Sequence, residues 1–132
     1  MKKSIILFII VLAGSQLKAQ SIFEKWEELN NYHHVMSQTF HPAEKDNLEP
    51  LKAKAKELAD QANKLAEAKI PMEFDTKGIR DAVAQLKTDS KALYEKVEGK
   101  AASDEELKKS IFALHDVFHE IVGLCKEEYH EE

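Results

Sequence analysis

The chain has 132 residues, 33% of them charged, with 24 acidic against 19 basic side chains and a formal net charge of −5. Such a surface repels nucleic-acid phosphates and anionic lipid head groups and attracts cations, which argues against nucleic-acid binding. The single cysteine, Cys125, excludes an internal disulfide, so helix packing or a bound ligand has to supply stability.

Taken in chain order, the first segment reads as a signal rather than as fold. Lys2 and Lys3 precede an apolar run from Ser4 to Gly14, and Leu17-Lys18-Ala19 offers a small residue for cleavage. The run is shorter than the ~20 apolar residues a membrane span needs, so residues 1–19 are expected to be a cleaved secretory signal peptide. No cysteine lies near the cleavage point to carry a lipid anchor. Residues 20–132 are expected to form one domain, periplasmic or secreted, with no membrane insertion. Loss of Lys2, Lys3 and Lys18 leaves it with 16 basic against 24 acidic residues.

Helix one is expected over 21–40, because Trp26, Leu29, His33, Met36 and Phe40 recur at spacings of three and four. His41-Pro42 should end it, since the residue before proline is pushed out of helical geometry. A loop runs through Asn47, and Pro50 suits the first turn of helix two, 50–68. Leu51, Ala55, Leu58, Ala62 and Leu65 form the inner stripe of that helix, and its alanines suit close approach of a neighbour. Pro71, within Ile70-Pro71-Met72-Glu73-Phe74, breaks the pattern. Helix three, 76–98, starts from Asp75 or Thr76 as N-cap and uses Ile79, Val83, Leu86, Leu93 and Val97. Ser90 is a polar gap in its stripe, and Gly99 should close the helix. Ser103 and Glu106 form a capping box for helix four, 104–129, whose stripe is Leu107, Ile111, Leu114, Phe118, Ile121 and Cys125. No segment alternates like a strand. Short connections favour antiparallel neighbours, so the expected fold is an all-α, antiparallel up-down-up-down four-helix bundle after a signal peptide.

Five of six histidines lie in two short stretches: His33, His34 and His41 on helix one, and His115 and His119 on helix four. His130, beside Glu131-Glu132, reads as solvated tail. His115 and His119 are one turn apart, flanking the core residues Leu114 and Phe118, and two imidazoles so spaced can share an ion. The residues between them are Asp-Val-Phe, so this is not the His-Glu-x-x-His motif of zinc proteases. The partner is expected from helix one, with His34 or His41 favoured over His33. On a straight helix His34 and His41 stand about 10.5 Å apart, so both reach one ion only if the chain bends near Phe40. Met36, Glu44, Asp116, Glu120 and Cys125 are further donors within reach. The expected ligand is Zn²⁺ or Cu²⁺, held by His115, His119 and His34 or His41 for storage, buffering or sensing in the cell envelope. The bland alternative is a set of packing histidines, each satisfied by a local hydrogen bond.

An exported chain of this length folding as four helices resembles the cytochrome b562 and cytochrome c′ architecture. That resemblance implies a haem, with Met36 and a histidine as candidate axial ligands. Cys125 is followed by Lys126-Glu127-Glu128-Tyr129-His130 and not by two residues and a histidine, so covalent attachment is excluded. The b562-like pattern places Met early in helix one and His late in helix four, whereas Met36 is late and His115 central. Non-covalent haem is therefore the second expectation. Thr39 to Glu44, together with Leu114 to Glu120, also resembles a family of small exported bacterial proteins, a likeness that implies no activity. A helical envelope interaction or chaperone-like protein is the third reading, with a second copy or another envelope protein as partner. No catalytic Ser/His/Asp order, phosphate loop or carboxylate pair is legible, so no enzyme is expected.

Overall fold

The computed structural model describes residues 22–130, with side chains for 22–126; the expected signal peptide lies outside the described residues. Four long helices follow a helical turn at 22–25: α1 (Glu27–Glu44), α2 (Glu49–Glu67), α3 (Lys77–Gly99) and α4 (Asp104–His130). One 3₁₀ turn, Met72–Phe74, lies between α2 and α3, and no strand occurs among the described residues. The chain is all-helical and bundle-like. α1 packs on α2, α2 on α3, α3 on α4, and α4 returns to α1.

The stripes of α2 and α4 are those expected: Leu51, Ala55, Leu58, Ala62 and Leu65, and Leu107 to Cys125, are all buried. Each fully buried leucine or isoleucine contributes roughly 1.5–3 kcal/mol relative to exposure. On α1 the stripe departs from the expected one at two positions, where Tyr32 and Thr39 take the places expected of His33 and Phe40. Trp26, Leu29, Tyr32, Met36, Thr39 and Ala43 face the core, while His33 and Phe40 are only half-buried. Two hydrogen-bond arrangements permit this. The Thr39 hydroxyl donates back to the carbonyls of Val35 and Met36, both at 3.0 Å, which satisfies a polar side chain at zero exposure. The Tyr32 hydroxyl meets Ser90 Oγ at 2.9 Å across the core, so the polar gap in α3 is a partner for α1.

α1 also runs past the expected stop at His41-Pro42, ending at Glu44. Pro42 removes the bond its N–H would have made and crowds the Gln38 carbonyl, a cost that its surroundings offset. The Pro42 carbonyl accepts from Lys45 and Asn47, each at 3.0 Å, and Ala43 on the next position is fully buried. The turn then reverses at Asp46, φ 62°. α3 ends at Gly99 as expected, but the glycine is not the left-handed residue. It is the last helical residue, and Lys100 takes the left-handed conformation at φ 54°. Thr76 is the N-cap of α3, accepting from the Ile79 N–H at 3.3 Å, and Ser103 accepts from the Glu106 N–H at 3.2 Å. Between α2 and α3, Phe74 is fully buried and stacks on Trp26 with centroids 6.2 Å apart. That contact, with the Lys25–Glu73 ion pair at 2.9 Å, ties the connector to the start of α1.

Candidate metal site

The inward placement of Tyr32 and Thr39 decides how the α1 histidines stand toward α4. With Tyr32 inward, His33 falls on the α1–α4 flank and His34 turns outward, where it is exposed. His33 and Phe118 stack at 5.3 Å with planes 2° apart, and Phe23 covers the other side of His33 at 4.8 Å. Further along α1, Phe40 stacks on His115 at 3.6 Å and 2°, and Phe112 leans on Phe40 at 5.1 Å. His115 and His119 meet edge to face, centroids 4.4 Å apart.

These side chains enclose a cavity of about 280 Å³ between the two helices. Four imidazoles line it, those of His33, His41, His115 and His119, together with Phe23, Phe40, Phe118, Met36, Ser37 and Val122. Of the histidines favoured from the sequence, His115, His119 and His41 therefore reach the pocket and His34 does not. His33, placed behind the other two by sequence, takes the central position on α1. Met36 lines the same cavity although it is only 1% exposed. Glu120 and Asp116 lie outside the lining, and Cys125 is buried in the core. Burial pushes the Cys125 thiol up to about 12, so it stays protonated at neutral pH.

The rings are fixed to different degrees. His33 and His115 are half-buried and held face to face by phenylalanines, whereas His119 and His41 are exposed. His41 Nδ1 sits 3.0 Å from Glu44 Oε1. Among the described residues no three His, Cys, Asp or Glu side chains are already drawn around one point close enough to hold an ion. Simultaneous ligation therefore requires side chains of the cluster to move closer together.

Burial holds the His33 imidazole below its usual pKa, and its neighbours His34, His119 and His41 lower it further by like-charge repulsion. His115 is lowered for the same leading reason, burial, and then by His119 and His41. Asp116 and Glu44 pull the other way. Both shifts favour the neutral ring, the form whose lone pair a metal needs. What the cluster offers chemically is imidazole nitrogen from two helices, beside the Met36 side chain, in a pocket lined by aromatic rings.

The sequence signal that could have selected His33 was the pair Tyr32 and Thr39, polar-edged residues at stripe spacing opposite the Ser90 gap. No family model matches the chain, and no curated protein or solved structure is close enough to count as a relative.

Proposed function

We propose that this is an exported metal-binding protein of the cell envelope, an antiparallel up-down-up-down four-helix bundle whose ligand sits between α1 and α4. The observation that carries the reading is one cavity lined by imidazoles from two helices. The arrangement of helices is supported by pairings that run in opposite senses. Phe40 meets Phe112 and His115 while His33, earlier in α1, meets Phe118, later in α4. Gln38 with Lys54, and Lys96 with Ser110, join the α1–α2 and α3–α4 pairs in the same antiparallel sense. Basic and apolar residues at 1–19 support export. His33, His115 and His119 are the ligands of this reading, with His41 at the mouth, and the role is buffering, storage or sensing without catalysis.

Haem is the second reading, because Met36 and His115 line one cavity. Its volume of about 280 Å³ lies just under the ~300–1,000 Å³ typical of sites for drug-sized ligands, and haem is larger than most of those. The metal-ion reading is therefore preferred. Calorimetric titration of Zn²⁺ and Cu²⁺ into wild type and a His115→Ala/His119→Ala double variant tests it. Saturable one-to-one binding lost in the variant is expected; equal, weak binding by both proteins rejects the site and favours the envelope interaction reading. Purification with a Soret band would instead put haem in front.

A further inference from the structure

We infer that the ion this pocket suits best is monovalent copper, Cu(I), with the Met36 thioether as a ligand beside His33, His115 and His119; the inference rests on the metal-binding reading above. His33 and Met36 are three residues apart on α1, and His115 and His119 four apart on α4. Each pair therefore shares a helix face, and both pairs line the same cavity. The donors offered are three imidazole nitrogens and one thioether sulfur. A thioether is a soft, neutral donor that selects Cu(I), whereas Zn²⁺ is bound by imidazole, carboxylate and thiolate.

Charge points the same way. No carboxylate of the described residues lines the cavity, and the acids that act on His115, Asp116 and Glu44, stand outside it, Glu44 against His41. A divalent ion held by neutral donors would keep both charges uncompensated against an apolar wall. Desolvation cost rises with the square of the charge, so a monovalent ion is far easier to accommodate. Phe23, Phe40 and Phe118 add ring surfaces that attract a cation. Ion and ligands keep their oxidation states on binding, and neutral imidazoles release no proton.

The test is a pair of competition titrations on the purified protein. Cu(I) is offered anaerobically against bathocuproine disulfonate, and Zn²⁺ against a fluorescent zinc chelator, for wild type and Met36→Leu. Leucine nearly preserves volume. The variant is expected to lose at least about tenfold in Cu(I) affinity, the scale on which removing a metal-site partner acts, with Zn²⁺ affinity unchanged. Unchanged Cu(I) affinity in Met36→Leu overturns the copper assignment, and if wild type still binds Zn²⁺ the metal reading survives. If wild type takes up neither ion, both fall. Copper-edge X-ray absorption decides the matter even if Met36→Leu misfolds. A sulfur neighbour present in wild type and in Cys125→Ala supports Met36 as the donor. A nitrogen-only shell in wild type, or sulfur lost in Cys125→Ala, overturns it.

Discussion

Tyr32 and His33 are adjacent in the chain, and each carries a polar ring toward another helix, yet they end in opposite kinds of environment. Tyr32 is fully buried, its hydroxyl closed off by Ser90 at 2.9 Å, and burial holds the phenol neutral far above its usual range. His33, one residue on, is half-buried at the wall of an open cavity, held by ring stacking. The first environment satisfies its polar atoms within the fold and so specifies register. The second presents polar atoms that an ion can use. Phe118 joins them, touching Tyr32 at 5.9 Å and His33 at 5.3 Å.

That junction gives the largest expected effect. Phe118→Ala removes a ring that is 3% exposed and should cost about 3–5 kcal/mol, read as a lower urea midpoint with loss of metal binding. A loss of binding with stability unchanged would mean that the two environments are independent. Next in size, Tyr32→Phe leaves Ser90 buried without its partner and should cost about 1–3 kcal/mol. Adding Ser90→Ala should recover most of that loss, because two apolar groups replace a satisfied pair. Failure of the double variant to recover would show that the hydroxyl pair is not what holds α1 in register. The Tyr32 variants should also blunt metal binding if register controls the pocket, whereas Thr39 alone would sustain it otherwise.

The smallest effect is the pH dependence. His33 and His115 have folded-state pKa values below the unfolded reference of about 6.5. Above that pH both states are neutral and the groups contribute no slope. As pH falls through 6.5 the unfolded chain takes up protons first, so stability is lost progressively down to the lowered folded values. Both rings are partly exposed, and solvent screening keeps the effect modest. Melting temperature measured from pH 8 to pH 5 should fall below 6.5, and His33→Gln/His115→Gln should flatten the fall. An unchanged slope in that variant would assign the dependence to other groups. Metal uptake, which needs neutral imidazoles, should weaken over the same interval.

Periodicity made the helices and three of the four stripes legible, because leucine, isoleucine and alanine at three-four spacing admit one inward face. α1 was different. Trp26, Leu29 and Met36 belong to both readings of its stripe, and the choice lay between His33 with Phe40 and Tyr32 with Thr39. Side-chain hydrophobicity favours Phe40 over Thr39. The outcome turned on hydrogen bonds that cannot be counted until the helices are packed: Thr39 to its own backbone, and Tyr32 to a serine 58 positions away. The histidine clusters were visible as composition and spacing, and His115 with His119 lie together as their spacing implies. Which α1 histidine lies nearest them depended on the same choice between Tyr32 with Thr39 and His33 with Phe40. Pro42 misled about the helix end because a residue-level preference was outweighed by the burial of Ala43 and the bonds accepted by the Pro42 carbonyl.

On the proposed reading it is His33, and not His34, that shares an ion with His115 and His119 across the α1–α4 face. Imidazole ¹H–¹⁵N correlation spectra recorded while Zn²⁺ or Cu(I) is titrated in read this directly, with each resonance assigned by single His→Gln variants. The ring nitrogens of His33, His115 and His119 should shift together to one saturating stoichiometry while His34 and His130 stay put. Shifts at His34 with His33 unmoved, or small unsaturated shifts spread over all six histidines, would contradict it.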